Sequence, residues 1–197
     1  MKEKPIFEEV FTVLIRQPDF WLKVLIGGLL SFVPIVNFFA FGYLYRFSLK
    51  VRHTGQLSLP EWHDWAGLFA DGLKFAVVWL SYWVLPLLLA FVVSSVFGGL
   101  GLGALSYLLF SSVFLIAPVL FSSALYRLQM RSDFKDLMNV ALIIRMTYRE
   151  FPRFILPACV FLGICALALP IYGFPLFAGF LLLIGYTAVC YRSMESR

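Results

Sequence analysis

Three long stretches of the chain, residues 24–45, 75–126 and 154–191, contain no Asp, Glu, Lys or Arg. Every charge lies in the segments 1–23, 46–74, 127–153 and 192–197. The middle stretch is long enough for two spans. As helices, residues 75–97 and 104–125 would each be about 33–35 Å long, enough to cross the hydrocarbon core of a bilayer. The sequence GGLGLG (98–103) between them reads as a turn, because glycine frees the backbone and breaks helices. It lacks the Lys, Ser or Thr of a phosphate-binding loop. The last stretch folds back at PIYGFP (170–175). That leaves 154–169 and 176–191, each about 24 Å as a helix and near the short limit for a span.

Residues 24–45 admit two readings. One is a single span kinked at Pro34; the other is a re-entrant hairpin of two half-length helices turning at VPIVN (33–37). The hairpin puts all 16 Lys and Arg on one side. The single span moves Lys2, Lys4, Arg16 and Lys23 to the far side. The positive-inside rule therefore favours the hairpin. So does Asn37, whose amide suits a protein-lined turn better than lipid.

The charged segments carry helical periodicity. Phe7, Val10, Phe11 and Leu14 share a face opposite Glu8, Glu9, Thr12 and Arg16. Phe134, Leu137, Met138, Ala141 and Tyr148 stand similarly against Lys135, Asp136, Asn139, Arg145 and Arg149. Each segment meets a Pro-x-Phe (Pro18 to Phe20, Pro152 to Phe154) and later a Gly-Tyr (Gly42-Tyr43, Gly185-Tyr186), a weak internal repeat that supports a first hairpin. The expected fold is a single all-α integral membrane domain of three membrane hairpins plus cytoplasmic interfacial amphipathic helices. Its parts are an interfacial helix (1–20), a short hairpin (21–47), an interfacial helix (58–74), a transmembrane hairpin (75–125), an interfacial helix (132–151) and a transmembrane hairpin (154–191). Both termini are expected on the cytoplasmic side of the cell membrane.

Composition agrees: 61% of residues are hydrophobic and 14% charged, too few charges to cover a soluble domain of this length. The acids near the N-terminus do not fit a cleaved signal peptide. The net charge of +5 should favour anionic lipid headgroups on the cytoplasmic face. It is too dispersed for a nucleic-acid partner. Cys159, Cys165 and Cys190 read as small packing residues. His53 and His63 have no cysteine spacing for zinc. No Asp, Glu, Lys, Arg or His lies between the charged belts, which argues against a proton- or ion-driven transporter. The serines of the apolar segments, Ser94 among them, read as close-packing residues. Pro86 and Pro118 read as helix kinks. Trp21, Tyr43, Tyr45, Trp62, Trp65, Tyr126, Tyr148, Phe151 and Tyr191 form an aromatic belt, while Trp79, Tyr82 and Trp83 pack deeper.

Candidate chemistry is confined to SLPEWHDW (58–65). Ser58 and Glu61 have capping-box spacing, and Pro60 is tolerated in a first helical turn. On such a helix Trp62, Trp65, Ala66, Phe69 and Leu73 form a stripe, with Glu61, His63, Asp64, Asp71 and Lys74 off it. Glu61 and Asp64 then share a face that His63 does not, so the three do not converge on a metal or substrate. The acids are expected to pair with Arg127, Arg131 or the Arg145, Arg149 and Arg153 group.

GYLYR (42–46) followed by LPEWHDWAGLFADGLK (59–74) resembles a prokaryotic membrane family catalogued as domain of unknown function 4013. The resemblance rests on Gly42, Tyr43, Pro60, Glu61, Trp62, Asp64, Gly72, Leu73 and Lys74, and implies the architecture without an activity. The residues expected to anchor the protein at the interface or to contact a partner are Trp62, Trp65, Glu61, Asp64, Trp21, Arg145, Arg149 and Arg153. No catalytic, metal or cofactor site is expected. The expected role is a non-catalytic structural or accessory subunit that binds other membrane proteins or itself. The alternative is a transporter, channel or scramblase for a neutral or lipidic substrate.

Overall fold

The computed structural model describes residues 7–131, 133–167 and 171–195, and no strand occurs among them. The first six residues of the expected 1–20 helix, residues 168–170 at the end of the expected 154–169 helix and the start of the 170–175 turn, and the first residue of the 132–151 segment lie outside the described residues. The helices are α1 (Phe7–Ile15), α2 (Phe20–Ser31), α3 (Asn37–Thr54), α4 (Trp65–Trp79), α5 (Leu85–Gly99), α6 (Gly103–Arg131), α7 (Val140–Leu167) and α8 (Gly173–Glu195). A π-turn at Leu80–Val84 joins α4 to α5, and a 3-10 turn at Phe134–Met138 precedes α7. The chain forms two compact units, one from residues 1–76 and 159–197 and the other from 77–158.

In the first unit α8 is the centre, packed by α1, α2 and α3. Its most apolar window is 78% buried, so protein covers most of this hydrophobic helix. Gly27 and Gly28 of α2 leave the space that Phe177 and Phe174 of α8 fill. Residues 24–45 are not one helix. The chain breaks between Ser31 and Asn37, where Ile35 takes φ 71. Phe32 of this break meets Tyr172 edge-to-face with ring centroids 4.8 Å apart, and the Tyr172 hydroxyl donates to its carbonyl at 3.3 Å. At the other end Arg192 of α8 donates to the carbonyl of Arg52 in α3. α3 therefore runs parallel to α8.

In the second unit α5 and α6 pack as a helix pair, joined by a turn in which Gly101 takes φ 79. Ser94 and Ser106 hold the pair by reciprocal bonds, each hydroxyl donating to the other's carbonyl at 3.1 and 2.7 Å. This is the close-packing role expected of Ser94. The candidate span containing α5 is 22% buried and that of α6 44%. Leu88, Leu89, Phe91, Val92, Val96 and Leu108 all stand exposed. The π-turn has a local cause. Pro86 lacks an amide and its ring crowds the carbonyl four residues back. Widening the ladder lets the Leu85 amide donate to Leu80, five residues back.

Several elements differ from expectation. The helix expected over 58–74 starts at Trp65, and residues 55–64 carry no helix. The 132–151 helix is instead a 3-10 turn and the first half of α7, which runs on through Pro152 and Pro157. The chain does break near Pro18, where Asp19 takes φ 60. The two Pro-x-Phe sites therefore differ in structure, and the apparent repeat does not extend to it. The Glu150–Arg153 pair, 2.8 Å long, bridges one helical turn across Pro152. The aromatic belt also divides. Tyr43, Tyr45 and Tyr191 are core residues, whereas Trp21 and Tyr148 are exposed.

Candidate functional site

Residues 55–64 form a strap across the first unit. The helix before them ends at Gly55, whose φ of 75 suits glycine and whose amide donates to the Val51 carbonyl at 2.8 Å. The strap is then tied at successive residues. The Leu59 amide donates to the side-chain oxygen of Gln17 at 2.8 Å, and the Leu59 side chain is buried. The Pro60 carbonyl accepts from the Tyr43 hydroxyl at 3.0 Å. Lys23 donates to Glu61 at 2.6 Å. Trp62 stacks on Tyr43 with ring centroids 4.1 Å apart.

These ties explain why the capping box does not form. Glu61 reaches Lys23 instead of the Ser58 amide, which donates to the carbonyl of Gln56. Asp64 caps α4, accepting from the Gly67 amide at 3.2 Å. Asp64 holds φ 55, a conformation Asp adopts more readily than most residues. The acid partners correct the expectation. Glu61 pairs with Lys23 and Asp64 with Arg46 at 2.8 Å. Arg46 also donates through Nε to Asp71 at 2.8 Å, and Asp71 accepts from Lys74 at 2.9 Å. Lys23 holds the Glu61 carboxyl below its ordinary range. Arg46, helped by the Gly67 amide, does the same to Asp64.

The tryptophans also have structural positions. Trp62 is half-buried, stacking on Trp65 and Phe177 as well as Tyr43. Its indole N–H is buried without an acceptor among the described residues. Trp65 and Trp21 remain exposed. Arg145 and Arg149 are exposed on α7, and Arg153 pairs with Glu150. Arg127 pairs with Asp136 at 3.1 Å. The stripe reading of α4 missed its buried face of Leu68, Gly72 and Phe75. There a Cβ on Gly42 would strike the Leu68 carbonyl oxygen, and one on Gly72 that of Phe38. Glycine at both positions lets the backbones of α3 and α4 touch. Among the described residues no group of three or more His, Cys, Asp or Glu could hold a metal. His63 contributes its backbone carbonyl, 3.4 Å from Arg46.

The second unit contains a groove of about 730 Å3 beneath the 3-10 turn. Ser81, Tyr82, Leu85 and Leu89 line one side, Leu120 and Ile144 others, and Lys135 is its one charged residue. The Tyr82 hydroxyl donates to the Leu137 carbonyl and fastens the 3-10 turn in place.

Three described helices are long and apolar enough to cross a membrane, and the class is a helical membrane protein. Residues 26–174 match the family model described as Protein of unknown function (DUF4013), and the chain belongs to that family. No curated protein and no solved structure matches it. The strap and its receptors account for all but Leu73, which is exposed, of the residues that carried the resemblance: Gly42 and Gly72 cross, Tyr43 holds Pro60 and Trp62, and Glu61, Asp64 and Lys74 join ion pairs.

Proposed function

We propose that this protein is a non-catalytic, multi-pass protein of the cytoplasmic membrane, serving as a structural or accessory subunit that packs against other membrane proteins or a second copy. One observation carries the reading: Glu61 and Asp64, the acids of the chain's most reactive-looking segment, are engaged by Lys23 and Arg46. The segment braces a fold instead of presenting free acids to a substrate. The break at 32–36, lying beside Tyr172, supports a first hairpin that returns to the side it entered, with both termini cytoplasmic. Arg145 and Arg149, exposed on α7, suit anionic headgroups or a partner on that face. Gentle detergent purification, followed by mass spectrometry of co-purifying proteins, tests the role. Stoichiometric co-purification or self-association is expected, and a monodisperse particle of a single copy overturns it.

A second reading, transport or scrambling of a neutral or lipidic substrate, is favoured by the groove beside the π-turn. A fluorescent-lipid scrambling assay in proteoliposomes separates the two. Flux above protein-free vesicles favours this reading, and its absence favours the subunit.

A further inference from the structure

We propose that the groove of the second unit is a site for one anionic phospholipid, with an acyl chain along the π-turn and the phosphate at Lys135. The inference rests on the membrane reading but not on the subunit role.

The walls are apolar, and the polar groups among them are few. The Tyr82 hydroxyl is already engaged with Leu137, leaving Ser81 and Lys135. From Val77 to Leu89 the groove follows about 18 Å of helix. That is close to half of the ~30 Å hydrocarbon core, the depth of one leaflet. Its volume of about 730 Å3 falls in the range of ligand sites, roughly 300–1,000 Å3. A free phosphate would leave these walls empty, whereas an acyl chain covers them.

The mouth is selective by charge. Among the described residues the Lys135 ammonium has no partner, although its own backbone amide donates to Asp133. Asp136 beside it is neutralised by Arg127. Asp133, exposed, uses a carboxylate oxygen to cap the 3-10 turn. Arg145 follows the lining residue Ile144 and is exposed on α7. An uncommitted cation, Lys135, at the head of an apolar slot complements a lipid phosphate that carries net negative charge. A zwitterionic lipid offers its own ammonium against it.

The test is native mass spectrometry of the full chain in detergent, titrated with phosphatidylglycerol and phosphatidylcholine of matched chains, and with glycerol phosphate as a chainless probe. One phosphatidylglycerol per chain is expected, held about fivefold better than phosphatidylcholine, the factor one lysine near an anionic surface contributes. Lys135→Glu should abolish that preference and Lys135→Arg retain it. Ser81→Trp, which fills the slot from an exposed position, should remove the adduct. Leu120→Trp fills it from α6 should the first variant lose helicity. Equal retention of both lipids, glycerol phosphate binding as well as the lipid, or a full adduct in a folded filled variant overturns the site. Recovery of the chain in buffer without detergent overturns the membrane reading instead.

Discussion

Gly42 of α3 and Gly72 of α4 meet backbone to backbone, with a Cβ on Gly72 falling 3.1 Å from the Gly42 amide nitrogen. Around them Phe38 packs on Phe69, Phe39 on Trp65 and Phe41 on Phe75, with ring centroids 5.6, 5.4 and 4.9 Å apart. The crossing fixes where α4 starts and so where the strap must end. Gly42→Ala and Gly72→Ala should each destabilise by about 1–3 kcal/mol or more, because a backbone carbonyl cannot yield as a side chain would. Gly163, with nothing within 4 Å of an added Cβ, is the control. Its change to Ala in α7 should stabilise by about 0.5–1 kcal/mol. Thermal denaturation in detergent reads both.

The Tyr43 hydroxyl is the strap's buried tie. Tyr43→Phe keeps the ring against Trp62 but leaves the Pro60 carbonyl without its donor. A loss of about 1–3 kcal/mol is expected. Trp62→Phe keeps an aromatic ring in the stack and removes the unpaired indole N–H. It should cost less than Tyr43→Phe, and denaturant midpoints of the two variants give the order.

The strap's ion pairs should release in acid. Glu61 and Asp64 both titrate below their ordinary values, so the folded state binds fewer protons than the unfolded one. Their contribution is complete above the ordinary carboxylate range and disappears as pH falls through the lowered values. Hydrogen exchange of residues 55–64, corrected for intrinsic rates, should show protection at neutral pH and its loss in acid. The paired change Glu61→Gln with Asp64→Asn should flatten that dependence.

Lys23 is 7% exposed and depends on Glu61 for its charge partner. Glu61 is exposed, so removing it alone strands a buried ammonium, which costs more than removing both charges. Glu61→Gln should therefore destabilise more than Lys23→Met with Glu61→Gln together. Chemical denaturation of the single and double variants measures the difference.

Topology can be labelled directly. After Cys159, Cys165 and Cys190 are replaced by Ser, single cysteines at Val36, Leu100 and Tyr172 should react from the non-cytoplasmic side. Gly173 is unsuitable, since a side chain there meets Phe32 and the Gly28 carbonyl. A cysteine at Gln56 should react from the cytoplasmic side.

The gross plan was legible because membrane burial is a one-dimensional constraint. The uncharged stretch 75–126 became the end of α4, the π-turn, α5, a turn and most of α6; the turn falls where expected, whereas the helical run before it starts earlier, at Trp65, and α6 continues to Arg131. The glycine and proline signals at 98–103 and 33–37 also marked real breaks. The strap was misread because its local signals are those of a helix start. Ser58, Pro60 and Glu61 satisfy a capping box, but the competing partners that defeated it are distant in sequence.

The segregation of charge along the chain determined by itself that the protein is helical and apolar enough for a membrane, since hydrocarbon tolerates neither free charge nor unpaired backbone. Tertiary structure decided which acid meets which base. Glu61 finds Lys23 at a separation of 38 residues, and Asp71 finds Arg46 at 25. Local periodicity does not encode such pairs. They exist because α2 and α3 pack around α8, and because two glycines let α3 and α4 touch.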